Sequence, residues 1–319
     1  MKRIFITGAS GCIGHYICEA LINQSDRELF LLVRNPDKLE FDWQNHPRIH
    51  VLEGDMGQIE EYSDLLLKDI NIAILAATAW GGAKETYDIN VVKTLALMEM
   101  LNPKICERVI YFSTASILDR NNQMLLPASQ FGHDYIRTKY QCFTELAKLA
   151  IADKIITVFP TLVFGGDQHQ PMSHLTAGLP EVVKSIDLIR WLSIEGSFHF
   201  IHAKDIARIV DFLVDNPNYS SAQATESIDC LVLGNPQITV DQAIAQICHY
   251  LNKKVYFKLP LSSWLTEIII KIFKIQMDSW SRFSLDYRHF SYQNPVTPAS
   301  FGIENYCSTV EELMTISGI

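Results

Sequence analysis

Short, almost wholly apolar runs punctuate the first half of the chain: "IFI" (4–6), "LFLLV" (29–33), "IHVL" (49–52), "IAILAA" (72–77), "VIYF" (109–112) and "IITVF" (155–159). Runs of this length without polar alternation predict strands covered on both faces, as in a parallel sheet. Between the first two, Ile13, Tyr16, Ile17, Ala20 and Leu21 recur at i, i+3, i+4, i+7 and i+8, the apolar stripe of a helix packed on a sheet. Segments 85–101 and 135–151 carry further helical periodicity. Strand–helix–strand repetition of this kind predicts an α/β fold built on a doubly wound parallel sheet.

The alternation loosens after residue 160. "FGGDQHQPMSHLTAGLP" (164–180) is rich in turn formers and reads as a loop. Strand-then-helix resumes in "FHFIHAKDIARIVDFLVDN" (198–216), and "CLVLGN" (230–235) adds a strand, after which helical patterns dominate. The division this predicts is a nucleotide-binding domain from 1–164 plus 199–235, and a smaller, mostly helical substrate lobe from 165–198 plus 236–319.

Composition narrows the partners. With 27 basic against 36 acidic residues the net charge is −9, and there is no dense Lys/Arg stripe, which argues against a nucleic-acid partner. The seven cysteines are scattered without metal-ligand spacing, consistent with free thiols in a reducing, cytoplasmic setting. The apolar run of "MKRIFITGAS" breaks at Thr7–Gly8, too early for a secretory signal. No uninterrupted apolar run is long enough to span a bilayer. In "WLTEIIIKIFKIQMDSW" (264–280), Glu267, Lys271, Lys274 and Asp278 form one narrow polar stripe. The broad apolar remainder must be covered by helix packing, a greasy substrate, a second subunit or peripheral membrane contact.

Candidate chemistry begins directly after the first strand. "TGASGCIG" spaces Gly8, Gly11 and Gly14 by three, so a tight turn delivers backbone N–H groups and a helix N-terminus to an anion such as a pyrophosphate. After the second strand, "LLVRNPDK" carries Arg34 where an acidic residue would bind the ribose 2′-hydroxyl of NAD; a planar guanidinium suits a 2′-phosphate instead, with Lys38 nearby. In "FGHDYIRTKYQ", Tyr135 and Lys139 lie four apart, one turn on one helix face. Tyr250 and Lys254 share that spacing, so context must separate the two pairs.

These pieces, together with "GDM" (54–56), "LAAT" (75–78), Asn90, "FSTAS" (112–116), "FPTLVFGGD" (159–167), "HFIHAKDIA" (199–207), "LGNPQITVDQA" (233–243) and the tail "TPASFGIENYCSTVEEL", occur in the order seen in extended short-chain dehydrogenases/reductases. The chain resembles that family, which includes the NAD-dependent epimerases and dehydratases. The resemblance implies a Rossmann fold and a catalytic set of Tyr135, Lys139 and Thr114. Tyr135 would be the acid/base, Lys139 its activator and a ribose ligand, and Thr114 would orient the substrate oxygen, with Ser113 and Ser116 as neighbours in register. A nearby ammonium favours a phenolate, which moves a phenol toward a useful pKa. The cofactor contacts implied are Gly8, Ser10, Gly11, Cys12, Ile13 and Gly14 at the phosphates and Arg34 at the 2′-position. Asp55 and Met56 would flank the adenine; Ala76, Ala77 and Thr78 would line the cofactor, with Asn90, Lys139 and Pro160 beside it, and Asn90 would support the active-site geometry from its helix.

Two departures steer the substrate. "ILD" (117–119) stands where nucleotide-sugar enzymes carry "VYG", and Phe159 where they often carry Arg. "PTLVFG" is more similar to the ketone and alcohol reductases of the family. The expectation is hydride transfer between NADP(H), or NAD(H), and an apolar ketone or secondary alcohol, a small molecule. A nucleotide-sugar epimerase/dehydratase and a non-catalytic NADPH-binding assembly protein are the alternatives. The family also admits a homodimer. His133, beside the pair, reads as a surface residue or a second polar contact.

Overall fold

The computed structural model describes residues 1–24, 26–168, 170–221, 228–261 and 277–319. Its centre is a sheet of seven parallel strands: β1 (Lys2–Thr7), β2 (Arg27–Val33), β3 (Ile49–Glu53), β4 (Ile72–Leu75), β5 (Arg108–Phe112), β6 (Ile155–Pro160) and an edge strand, Asp229–Leu233. The spatial order is β3-β2-β1-β4-β5-β6 followed by the edge strand. Strand order therefore reverses between β1 and β4, and a doubly wound sheet opens a crevice at such a point, outside the carboxyl ends of its strands.

Alternation along each strand explains the unbroken apolar runs. Phe5, Ala73, Leu75, Tyr111 and Phe159 belong to one buried cluster, whereas Ile4, Ile6, Ile74, Ile110 and Val158 belong to another across the sheet. The first helix, Cys12–Ile22, buries Ile17 and Leu21 completely against the second cluster. Each such side chain contributes about 1.5–3 kcal/mol. A third cluster, including Leu179, Ile186, Ile244, Ile247 and Leu313, lies outside the main sheet and joins helices His174–Ile189, Val240–Tyr250 and Val310–Ile316.

Two segments differ from their sequence patterns. The turn-rich stretch 164–180 is helical from His174, because Ser173 caps that helix by accepting from the Thr176 N–H at 3.1 Å. Pro180 sits inside the helix, whose remaining backbone bonds tolerate one missing donor. The segment 85–101 is not one regular helix: a π-turn, Asp88–Lys93, interrupts it between Ala83–Tyr87 and Thr94–Met100. Such wide turns often mark functional positions. Most of the apolar stretch 264–280, up to residue 276, lies outside the described residues. Among the described residues, no helix is long and apolar enough to cross a membrane.

Candidate active site

The phosphate loop follows β1. Gly8 adopts φ +80°, and a Cβ there would stand 2.6 Å from the Ala77 nitrogen, so only glycine lets the ends of β1 and β4 approach. A Cβ on Gly14 would lie 2.0 Å from the Gly8 carbonyl oxygen, closing the helix onto the turn. The Gly11 N–H bonds back to the Gly8 carbonyl at 3.0 Å, and Gly11 caps the helix with no side-chain acceptor. The first-turn N–H groups of Cys12, Ile13 and Gly14 thus keep their capacity for an anion. Ser10 and Ile13 are half-buried at the rim. The Cys12 side chain points elsewhere, toward Gly165, and burial pushes its thiol up to about 12. Only its backbone faces the phosphate position.

Arg34 directly follows β2 and is 75% exposed, with Asp55 as its ion-pair partner at 3.8 Å. Asp55 ends the β3 side, where its carboxylate accepts from the Gly57 N–H at 2.7 Å and Met56 packs on the core. Ala76 and Ala77 line the crevice wall beyond β4, tied to β1 by hydrogen bonds from their N–H groups to the Thr7 carbonyl and hydroxyl. Pro160 closes β6 as a buried residue.

The helix Asp134–Glu145 carries Tyr135 and Lys139 on one face, with Asp134 in its first turn, where a carboxylate favours the N-terminus. Lys139 is 3% exposed and donates to the Phe112 carbonyl, the end of β5, at 2.7 Å. Its ammonium stands 4.9 Å from the Tyr111 ring centroid and 6.0 Å from that of Tyr135. Burial lowers its pKa to about 8. The expected lowering of the Tyr135 phenol by the ammonium is not seen: burial carries it up to about 12, and the nearby Thr114 hydroxyl, two residues past β5, offsets only part of that rise. Tyrosine, lysine and threonine therefore converge at the carboxyl ends of the strands. Ser116 instead donates its N–H to Thr114, and the Ser113 hydroxyl is buried without a partner.

Asn90, expected both to support the site's geometry and to lie beside the cofactor, has its amide engaged by protein. Fully buried in the π-turn, its amide oxygen accepts from the Ala79 N–H at 2.8 Å and the Thr78 hydroxyl at 3.2 Å. Its amide nitrogen donates to the Ala79 carbonyl at 3.2 Å and the Thr138 hydroxyl at 3.1 Å. All four hydrogen-bonding positions of the amide are filled by protein, leaving none for a dinucleotide. Asn90 clamps the loop after β4 onto the Tyr135 helix.

That clamp positions a residue the sequence patterns passed over. Trp80 lies flat on the Tyr135 ring, with centroids 4.1 Å apart and planes at 15°. Its only sequence signal is an aromatic residue before Gly81–Gly82, immediately after the "LAAT" segment. His133 and His174 stand 5.7 and 6.3 Å from the indole. Burial lowers the His133 pKa, so this imidazole is neutral near pH 7. The second Tyr/Lys pair is structural: Tyr250 ends its helix and donates to the Ile319 carbonyl at 2.8 Å, while Lys254 lies beyond the helix.

A dinucleotide fits this cradle on three counts. The glycines let the turn close tightly onto the helix, the helix N-terminus has no side-chain cap, and the buried ammonium, among the described residues, has one carbonyl as acceptor and two N–H groups left for a ligand.

Solved structures share the architecture. A dTDP-glucose 4,6-dehydratase from Bacillus anthracis in complex with NAD is 14% identical, covering 99% of this chain and 96% of its own, with a TM-score of 0.64. The gox2253 protein is 17% identical over 99% of this chain and 97% of its own, with a TM-score of 0.69. A UDP-glucuronic acid 4-epimerase from Bacillus cereus is 19% identical over 82% and 86%, with a TM-score of 0.57. At these identities the likeness is one of fold. No curated protein sequence matches the chain. The family model does match, over residues 4–225, which include the glycine loop, Arg34, the Asn90 clamp and the Tyr135/Lys139/Thr114 set: the chain belongs to the NAD dependent epimerase/dehydratase family.

Proposed function

We propose that the protein is an oxidoreductase that interconverts an apolar ketone and its secondary alcohol with NADP(H). The observation that carries this reading is the phenol of Tyr135, beside Thr114 and one turn from the buried Lys139. Nicotinamide, when bound, supplies or accepts the hydride. Tyr135 holds its proton at neutral pH, as a donor to a developing alkoxide requires. Thr114 orients the substrate oxygen beside that phenol. Lys139, charged below about pH 8, stabilises the phenolate left after transfer and offers its remaining N–H donors to the ribose. Arg34, exposed beyond β2, supports NADP over NAD because its fork matches a 2′-phosphate.

The test is a comparative titration with NADPH and NADH, followed by apolar ketones offered to the saturated protein. NADPH consumption that stops in Tyr135→Phe while NADPH binding persists is the expected result; undiminished turnover in that variant refutes the assignment. A second reading, a nucleotide-sugar epimerase or dehydratase, draws support from the dehydratase and epimerase structures of the same fold. Nicotinamide absorbance that survives exhaustive dialysis of the purified protein favours it, because such enzymes recycle the cofactor within each turnover.

A further inference from the structure

We infer that Trp80 determines substrate specificity at the reaction centre, selecting carbonyl compounds whose carbonyl adjoins a flat aromatic or conjugated group. This deepens the ketone-reductase reading and rests on it. One face of the Tyr135 ring is covered by the indole, with centroids 4.1 Å apart and planes at 15°. A carbonyl reaching the phenol oxygen must therefore enter alongside the indole plane. A flat, unsaturated substituent slides along such a wall, whereas a bulky saturated ring must push the indole off the phenol and forfeit the stack.

The wall is open to a ligand and fixed in place. Trp80 is 58% exposed although it lies on a half-buried tyrosine, so much of the indole surface remains open. Behind it, both backbone groups of Ala79 are held by the Asn90 amide. Ahead of it, Gly82 adopts φ +94°, a conformation that suits glycine, with nothing within 4 Å of its Cβ position. The flanking groups are the imidazoles of His133 and His174, the latter edge-on to the indole at 69°. Four aromatic rings from three separate elements make this corner. They offer π-faces rather than the dense hydrogen-bonding that a polyhydroxylated sugar requires.

The experiment measures kcat/KM with NADPH for acetophenone and for cyclohexyl methyl ketone, a saturated analogue with the same carbon skeleton. Wild type, Trp80→Ala and Trp80→Phe are compared. Aromatic pairs of this kind correspond to about three- to tenfold in selectivity. The aryl-to-cyclohexyl ratio is expected to fall by that factor in Trp80→Ala and to be retained in Trp80→Phe, which keeps a flat ring. An unchanged ratio in Trp80→Ala overturns the role of Trp80 and leaves the reductase reading standing. If wild type reduces neither ketone, the reductase reading fails and fluorescence decides the wall separately. Acetophenone quenching of indole emission that is present in wild type and lost in Trp80→Phe sustains it, and equal quenching in both overturns it.

Discussion

Lys139 offers the sharpest physical test, because its position is good for chemistry and bad for folding. The perturbation is Lys139→Met, which keeps the length of the stem and removes the charge. In the folded, ligand-free protein burial depresses the lysine pKa from an ordinary 10.5 to about 8. At ~1.4 kcal/mol per unit, holding the ammonium buried costs about 3 kcal/mol. Below pH 8 both folded and unfolded states carry the proton and the full cost is present. Between about 8 and 10.5 the unfolded chain binds more protons than the folded one, so this group's contribution to stability improves as pH rises. Urea unfolding of ligand-free wild type and Lys139→Met, each at pH 7 and pH 10, isolates the effect. Other groups titrate equally in both proteins and cancel in the difference. At pH 7 the two are similar, since the variant escapes the buried charge but leaves the Phe112 carbonyl without its donor. From pH 7 to 10 wild type should gain about 2–3 kcal/mol relative to the variant. Parallel pH profiles would show that the ammonium is not desolvated, and the account of this site would be wrong. Reductase activity of the variant should drop by about 100-fold or more at pH 7, as expected when the group next to a general acid is removed.

Further outcomes follow from individual contacts. Tyr135→Phe should lower kcat by about 10²–10⁴ with the melting temperature and NADPH affinity preserved, measured by steady-state kinetics and cofactor fluorescence titration. Asn90→Ala removes four buried hydrogen bonds and should destabilise the fold by about 2–4 kcal/mol in urea unfolding, with a rise in acrylamide quenching of indole emission as the Trp80 loop loosens. Gly14→Ala drives a Cβ to 2.0 Å from the Gly8 carbonyl, so dinucleotide binding should be lost in titration calorimetry even where the folded protein is recovered. Arg34→Asp should reverse the ratio of NADPH to NADH affinity by about tenfold or more, since a carboxylate repels a 2′-phosphate and accepts from a 2′-hydroxyl.

The seven strands were legible because apolar runs flanked by turn formers have few other stable uses, and each run falls within two or three residues of an observed strand. The segment 164–180 is loop only as far as Ser173, for a local reason: glycine, proline and glutamine mask a helix start that Ser173 secures through its cap. The regular helix expected over 85–101 hid a π-turn, since one extra residue per turn leaves no clear mark in hydrophobic spacing. A supporting task for Asn90 is legible in the sequence, but the partners of its amide are not. Which groups its amide meets depends on the approach of two loops distant in sequence, and the amide proves to be saturated by them.

By itself the sequence determined the parallel sheet, the glycine turn at the end of its first strand and the one-turn spacing of Tyr135 and Lys139, because each follows from local periodicity and from residues whose backbone or side-chain chemistry admits little else. Only the tertiary structure decided that Thr114 comes beside the phenol, that the lysine is deep enough to lose much of its hold on a proton, and that Trp80 lies on the tyrosine. Those outcomes arise from packing between segments tens of residues apart, where desolvation and ring stacking depend on distances that no single stretch of chain encodes.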